Sequence, residues 1–188
     1  MEITEVKVYD IEECVMYSGL SHSANGDPLF NLKRARMLGH ATTGSGHDVF
    51  LSGITVSMNV KATHIWWMQF MRYSFQNIVT SQSKMHQVME FDINIQSNEY
   101  VSENTRHEVQ RLKDIHLNEQ SEESFNRVIY NLPMGLELKA RVRTNFLQLK
   151  TIYGQRKSHK LKEWADFCSW MKTIDHYGLF IGGGDGHE

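Results

Sequence analysis

Proline is rare in this chain, with only Pro28 and Pro133 among 188 residues. Because proline breaks the interior of a helix, its scarcity permits long helices. Between the helical patterns, apolar and polar side chains alternate over residues 49–60, which is typical of a half-buried strand. No repeat and no linker composition divides the chain. The sequence therefore predicts a single α+β domain with a central antiparallel or mixed sheet and long helices.

Local patterns predict the individual elements. Residues 4–9 alternate and predict a strand, and the glycine-rich residues 39–47 predict a loop. One face of the second strand is expected to carry Phe50, Ile54, Val56, Met58 and Val60. Helices are predicted at 29–38 (after Asp27-Pro28), 62–74, 105–117, 121–130, 141–153 and 158–174. The domain is expected to span residues 1–180, and residues 181–188 to form a flexible glycine-rich tail.

Charge and hydropathy argue against several classes of protein. A formal net charge of −2 provides no basic field for duplex nucleic acid. No apolar run approaches the roughly 20 residues that cross a bilayer, and residues 1–5 lack a signal-peptide pattern. Cys14 and Cys168 form no CxxC pair and are expected to stay reduced. We therefore expect a cytoplasmic protein that binds neither duplex nucleic acid nor a membrane.

The histidines and potential nucleophiles form no recognisable catalytic motif. None of the ten histidines lies in HExxH, and no two are four residues apart beside an acid, so we expect no metal site. The chain contains no GxSxG elbow and no cysteine with a local nucleophile signature. Chemistry that depends on a protein nucleophile is therefore not indicated.

The segment from Trp66 to His86 changes from aromatic to polar along its length and includes the cations Arg72 and Lys84. Rings can stack on a planar ligand, amides can read its edges, and cations can attract phosphate. The same composition also fits a core helix that runs into a solvated loop. The segment indicates either a site of the nucleotide-binding kind or a plain helix–loop boundary.

The segment 132–159 is the second candidate region. Arg156 is predicted to lie between two helices, with Ser158 as the N-cap of the second helix. Cations and free N–H groups at such a helix start could surround an anion. A charged turn between helices also explains the pattern.

These segments together resemble the flavin-dependent thymidylate synthases. The loop and first helix supply Gly39-His40, Thr42, Thr43, His47 and, after the strand, Gln69-Phe70-Met71-Arg72. Further on, the order of the family motifs is matched by Leu132-Pro133, Asn145, Arg156 and Glu163. No single motif is intact, but their joint order covers most of residues 36–166. The chain thus resembles a divergent member of this family.

The departures from the family pattern remove positive charge. Arg72-Tyr73-Ser74 stands where the family has Arg-His-Arg, and Gln82-Ser83-Lys84-Met85 stands where it has Ser-x-Arg-Tyr. Leu147 replaces the family's second arginine after Asn145, and Arg127 is displaced from the arginine ahead of Leu-Pro. By the resemblance, this charge would face the flavin or the nucleotide phosphate.

The resemblance implies a homotetramer with active sites between subunits. It implies FAD as cofactor, NADPH and methylenetetrahydrofolate as co-substrates, and dUMP as substrate. Arg156 would hold and polarise the pyrimidine as the catalytic residue. The nucleotide would be bound by Gln69, Arg72, Gln82, Ser83, Lys84, Arg127 and Arg156. The flavin would be bound by His47, Arg72, Tyr73, Ser74, Asn145 and Thr151.

Three functions remain open on these residues. The first is flavin-dependent methylation of dUMP to dTMP. The second is methylation or hydroxymethylation of another pyrimidine nucleotide, which the altered segment at residues 72–74 keeps open. The third is a catalytically inactive nucleotide-binding homologue, which the lost arginines favour and the retained Gln69, Arg72, Asn145 and Arg156 oppose.

Overall fold

A four-stranded antiparallel sheet forms the centre of the computed structural model, which describes residues 1–182. The strands are β1 (Glu2–Tyr9), β2 (Thr55–Thr63), β3 (Asn77–Ser81) and β4 (Glu137–Asn145), in the spatial order β1-β2-β4-β3. Val56 lies opposite Thr144, and Val60 lies opposite Ala140. All four of these side chains are buried on the inner face. The α+β class and the antiparallel sheet predicted from the sequence are confirmed.

Helices connect and cover the strands. They are α1 (Ile11–Tyr17), α2 (Leu32–Gly39), α3 (His64–Phe70), α4 (Lys84–Gln87), α5 (Ile93–Gln96), α6 (Glu103–Glu119), α7 (Glu122–Tyr130), α8 (Phe146–Arg156) and α9 (Lys162–Met171). Single 3₁₀ turns occupy Leu20–His22, Val49–Ser52, Val88–Glu90 and Tyr177–Leu179. None of the helices in residues 1–182 is long and apolar enough to cross a membrane.

Two strands pass directly into helices at polar capping residues. The Thr63 hydroxyl accepts the backbone N–H of Trp66 at the start of α3, and the Asn145 side chain accepts that of Gln148 at the start of α8. Such caps satisfy backbone donors that have no partner inside the helix. Both helices therefore leave the sheet at a fixed angle and carry their side chains to a defined place.

An aromatic cluster joins α3 to α9 beneath the sheet. The Trp66 ring stacks on Phe70 with centroids 4.6 Å apart and lies 5.0 Å from Trp164 and 5.4 Å from Phe167. All four side chains are fully buried. Helix α9 of the same chain covers these rings, so their burial needs no partner subunit. Only Met68 and Met71 of that helix region remain exposed.

The predicted helix over 141–153 is wrong in its first part. Residues 137–145 form β4, in which buried Leu138, Ala140 and Val142 alternate with the outward-facing Lys139 and Arg141. This is a period of two, whereas the apolar residues from Phe146 onward follow the helical period. Arg143 is therefore a strand residue and does not share a helix with Arg156.

Other predicted boundaries also differ from the structure. The helix expected at 29–38 begins at Leu32, because Asn31 provides the cap in place of Asp27-Pro28. Thr63 ends β2 instead of continuing a helix, and Phe50 lies in a 3₁₀ turn outside the strand. Strand β3 was not predicted, and it lies in the polar part of the segment from Trp66 to His86. In the predicted tail Ile181 is buried and Gly182 is exposed, and residues 183–188 lie outside the described residues.

Candidate functional site

A cleft of about 660 Å³ opens between the loop before β2, the end of α3 and one side of α8. This volume falls within the range of pockets that hold small ligands and cofactors, which is roughly 300–1,000 Å³. Its lining is Thr43, Gly44, Gly46, Asp48, Val49, Arg72, Tyr73, Ser74, Phe75, Leu147, Gln148, Thr151, Gln155 and Arg156. Apolar walls and a few convergent polar groups thus meet in one place.

The loop wall of the cleft is fixed to α8 by one partly buried lysine. Lys150 Nζ donates to the Asp48 carboxylate and to the Ala41 carbonyl, both at 2.5 Å. Asp48 is 1% exposed, so the ion pair lies away from water. Gly44 and Gly46, between these two contacts, adopt φ of 88° and 83°, a left-handed backbone that favours glycine. The loop therefore turns back on itself beside the cleft while its two ends stay attached.

Arg156 is held by three side chains at the end of the cleft. Its Nε donates to the Tyr73 hydroxyl at 2.7 Å, and its Nη1 lies 3.4 Å from Gln69 Oε1. Its Cζ lies 4.6 Å from the centroid of the Trp164 ring, a cation–π contact. The Trp164 indole N–H also donates to Gln69 Oε1, at 2.8 Å. The guanidinium therefore sits on a buried indole and is oriented by hydrogen bonds.

The structure around Arg156 differs from the one predicted from the sequence. Arg156 is the last residue of α8, and α9 begins only at Lys162 after Leu161. Ser158 therefore caps no helix, and no helix N-terminus adds its N–H groups to Arg156. The corrected environment is aromatic and hydrogen-bonded.

Glu163 helps to fix the Trp164 indole, because its carboxylate is bound to Thr63. Its carboxylate accepts the Thr63 backbone N–H at 2.9 Å and also contacts the Thr63 hydroxyl. Glu163 is 8% exposed. Because Trp164 follows Glu163 on α9, this contact at the β2–α3 junction sets the place of the ring on which Arg156 rests.

The pKa of a histidine near Arg156 is lowered by its surroundings. Burial, followed by the charge of Arg156, lowers the pKa of His159 below its ordinary value. Its Nδ1 accepts the Leu161 backbone N–H at 3.1 Å, so the neutral ring carries its proton on Nε2. The lowered pKa disfavours a positive charge on this ring next to Arg156.

The cysteines are unsuited to nucleophilic chemistry. Burial raises the pKa of Cys168 to about 11, and burial with the nearby Asp10 and Glu13 raises the pKa of Cys14. A thiol must ionise before it can attack, so neither group is activated. Within residues 1–182 no cluster of three or more His, Cys, Asp or Glu side chains could hold a metal ion.

The structure brings part of the predicted site together. Arg72, Tyr73, Ser74, Thr151 and Arg156 all line the cleft. Gln69 lies just behind them and reaches Arg156. Residues that the resemblance divided between nucleotide and flavin therefore share one wall.

Other predicted site residues lie elsewhere in the single chain. Gln82 and Lys84 line a separate cavity of about 170 Å³, where Lys84 Nζ lies 3.1 Å from His64 Nε2. Burial lowers the pKa of both groups, and the charge of Lys84 lowers that of His64 further. Ser83 caps α4 by accepting the His86 backbone N–H.

Each of the three remaining predicted site residues either has a structural partner or lines another cavity. Arg127 lies on α7, about half exposed, and pairs with Glu123 at 2.6 Å. Asn145 caps α8 and thereby orients Leu147 and Gln148 towards the cleft. His47 lines a neighbouring cavity against α2.

Sequence reasoning missed several members of the site. Asp48 and Lys150 are far apart in sequence and follow no motif, so only the fold shows that they pair. Trp164 lies inside the helix predicted at 158–174, and the sequence assigned it no role in the site. The one available signal was its position next to Glu163, the last residue of the matched family pattern.

Comparison with known proteins identifies the fold. No protein-family profile and no curated protein sequence matches the chain. A flavin-dependent thymidylate synthase from Helicobacter pylori, complexed with FAD and dUMP, superposes with a TM-score of 0.72 at 14% identity. The superposition covers 96% of this chain and 98% of that chain. The chain has the fold of the flavin-dependent thymidylate synthases. This confirms the fold that the sequence resemblance implied.

Two further solved structures share the fold. A second structure of the H. pylori enzyme with FAD and dUMP gives a TM-score of 0.71 at 14% identity, over 96% of this chain and 97% of that one. A UMP/dUMP methylase from Streptomyces cacaoi, bound with 5-Br dUMP, gives 0.59 at 15% identity, over 92% and 89%. At such low identity the likeness establishes the fold, and the role of each residue has to be argued from the cleft.

Proposed function

We propose that this protein is a flavin-dependent enzyme that methylates a pyrimidine nucleotide, with dUMP as substrate and dTMP as product. The observation that carries the proposal is the position of Arg156. In a fold shared with enzymes crystallised with FAD and dUMP, this arginine lies at the cleft, held by Tyr73 and Gln69 over Trp164. A guanidinium presents several directed donors, which suits the carbonyl edge of a pyrimidine.

The cleft residues fit a flavin nucleotide. Phe75, Val49 and Leu147 offer apolar surface to a planar ring system, and Arg72 offers positive charge to a pyrophosphate. The first turn of α8 also faces the cleft through Leu147 and Gln148, and a helix N-terminus favours an anion. Gly44 and Gly46 have open space where a Cβ would stand, so a ligand can approach their backbone closely. Arg72, Ser74 and Thr151 would hold FAD in this arrangement.

Bound FAD would supply hydride transfer, with NADPH as reductant and methylenetetrahydrofolate as the source of the carbon. The chain itself then has three tasks. Arg156 binds the pyrimidine carbonyl and stabilises negative charge that develops on the ring. Trp164 and Gln69 keep the guanidinium in place, and the apolar walls exclude water from it. No protein nucleophile is needed, which agrees with the raised thiol pKa values.

Assembly belongs to the same proposal. Gln82, Lys84 and Arg127 lie outside the cleft of their own chain. We propose a homotetramer in which nucleotide sites lie between subunits, so that such residues can serve a neighbouring site. Light scattering that shows a stable monomer at micromolar concentration would contradict this.

A second substrate is favoured by one comparison. The S. cacaoi methylase that shares the fold is named for both UMP and dUMP. The assay therefore needs both nucleotides, offered at equal concentration. A strong preference for UMP would keep the proposed reaction type and change the substrate.

The experiment that tests the proposal is turnover by the Arg156→Lys variant. The purified protein, supplied with FAD, NADPH, methylenetetrahydrofolate and dUMP, is expected to form dTMP. Arg156→Lys should lower kcat by about 100-fold or more, the size of a lost electrostatic donor in other enzymes. Nucleotide affinity should fall less, because the loss falls mainly on the transition state.

The matched control is Arg143→Lys. Arg143 is an exposed arginine on β4 and does not line the cleft. Its substitution should leave turnover nearly unchanged. Full turnover by Arg156→Lys, or equal losses in both variants, would show that Arg156 is only a charged residue at a helix end.

A further inference from the structure

Two consecutive hydrogen bonds link Arg156 to Tyr73 and Tyr73 to Gln155. Arg156 Nε donates to the Tyr73 hydroxyl at 2.7 Å, and that hydroxyl donates to Gln155 Oε1 at 3.1 Å. A phenol has one proton to donate, so donation to Gln155 leaves its oxygen lone pairs for Arg156. The directions of the two hydrogen bonds are therefore consistent with each other.

These hydrogen bonds leave part of the Arg156 guanidinium free to bind a ligand. Nε is used by Tyr73, Nη1 has only a long contact of 3.4 Å with Gln69, and one face of the group lies on Trp164. Among the residues that the structure describes, Nη2 donates to no protein acceptor. The group is thus fixed at its stem while its outer edge can reach a ligand in the cleft.

Tyr73 also avoids adding charge next to Arg156. It is half-buried and carries no positive charge, so the guanidinium has no cationic neighbour at this position. The Tyr73 ring packs edge-on against Trp164, with centroids 6.0 Å apart, and its centroid lies 5.6 Å from Arg156 Cζ. Tyr73 therefore contacts the arginine and also the ring that supports it.

We propose that Tyr73 is a positioning residue that fixes the Arg156 guanidinium through its hydroxyl, with Gln155 orienting that hydroxyl. Its consequence for catalysis rests on the proposed function, since Arg156 is the group that would act on the pyrimidine. A guanidinium without this anchor can rotate about its terminal bonds on the Trp164 surface. Loss of a defined orientation lowers the rate of an otherwise intact site.

The direct test is solvent exchange of the Arg156 Nε–H proton, followed by ¹⁵N NMR on the full chain. The resonance is assigned by its disappearance in Arg156→Lys. We expect slow exchange in the unmodified protein, and exchange faster by about tenfold or more in Tyr73→Phe, which loses a hydrogen bond to a charged group. Equal exchange in both proteins would overturn the proposal, whether or not the protein methylates a nucleotide.

The kinetic test uses the same variant. With dUMP, Tyr73→Phe should lower kcat by about ten- to a hundredfold, the range of a hydrogen bond to a charged group, and should change KM little. An active unmodified protein whose kcat is unaffected by Tyr73→Phe would also overturn the proposal. An inactive unmodified protein with the expected exchange difference would contradict the proposed function and leave the positioning role supported.

Two variants control for general damage to the fold. Gln155→Leu removes only the acceptor of the Tyr73 hydroxyl and should give a smaller loss of the same kind. Tyr153 lies on α8, the helix of Gln155 and Arg156, and its ring is beside Lys172. Tyr153→Phe should change neither the exchange of the Arg156 Nε–H proton nor kcat. A loss in Tyr153→Phe as large as that in Tyr73→Phe would indicate helix destabilisation and contradict the proposal.

Discussion

Two ion pairs of nearly equal length stand in very different surroundings. Lys150 and Asp48 approach to 2.5 Å beside the cleft, with side-chain exposures of 12% and 2%. Arg127 and Glu123 approach to 2.6 Å on α7, with exposures of 51% and 77%. The first pair joins a loop to α8 across about 100 positions of sequence, whereas the second links residues four apart on one helix.

The comparison shows why contact distance alone says little about importance. A buried charge that loses its partner cannot regain the hydration it gave up, so removing one member is expensive. An exposed pair exchanges its partner for water at little cost. The cleft wall therefore depends on its ion pair, and α7 does not depend on its own.

Lys150→Met should reveal this difference most strongly. The methionine keeps much of the lysine stem but leaves Asp48 without its cation. Unfolding free energy should fall by about 3–5 kcal/mol, the usual result of removing one member of a buried pair. Chemical denaturation measures it, and FAD affinity should fall in the same variant because the loop wall loses its attachment.

A matched exposed pair provides the control. Lys162 pairs with Asp166 at 2.8 Å on α9, with exposures of 65% and 38%. Lys162→Met should change unfolding free energy by less than about 1 kcal/mol. If the two variants are equally stable, the loop is not held by Lys150.

Arg127→Ala should have a small effect on stability. Loss of its exposed helical pair should change unfolding free energy by about 0.5 kcal/mol. FAD affinity should stay unchanged if the flavin lies in the cleft, since Arg127 does not line it. A nucleotide affinity that falls in an oligomeric protein would instead show that Arg127 serves a neighbouring subunit.

His64 and Lys84 contact each other and are partly buried, between the buried Lys150–Asp48 pair and the exposed Arg127–Glu123 pair. Because burial and Lys84 lower the pKa of His64 from 6.5, the unfolded chain takes up a proton there more readily than the folded chain. Stability should therefore be lost as pH falls through about 6.5. His64→Gln should flatten this dependence in thermal unfolding between neutral and mildly acidic pH. His107→Gln, at an exposed site on α6, should retain it.

Local patterns explain which parts of the fold could be predicted from the sequence. Strand β1 and the helices α6 and α7 were predicted within about two residues of their observed bounds, whereas strand β2 was expected over residues 49–60 and forms Thr55–Thr63. Strand β4 was predicted as a helix because its alternation runs directly into the helical pattern at Phe146, and only the cap at Asn145 separates the two. In the folded chain, pairing with β2 on one side and with β3 on the other stabilises β4 as a strand.

The residues of the site also fall into two groups: those that could be predicted from the sequence and those that only the fold reveals. Arg72 and Arg156 could be proposed because they match positions of the family pattern, and Tyr73 and Ser74 because they stand at the altered positions next to Arg72. The Lys150–Asp48 pair and the support of Arg156 by Trp164 depend on contacts between elements that only the folded chain brings together. Arg127 lies on α7 outside the cleft of its own chain, so its role in binding a nucleotide stays a prediction that concerns a neighbouring subunit.

Titration of FAD fluorescence with the purified chain is the most direct test of flavin binding in this cleft. We expect saturable quenching at one FAD per chain, together with tighter binding by Ser74→Arg. A charge-assisted hydrogen bond exceeds a neutral one by about 1 kcal/mol, so the gain should be about fivefold to tenfold. A nanomolar dissociation constant in the unmodified protein would show that the charge lost at Tyr73 and Ser74 is fully compensated. No quenching at concentrations up to about 1 mM, where binding would contribute only about 4 kcal/mol, would contradict a flavin site in the cleft.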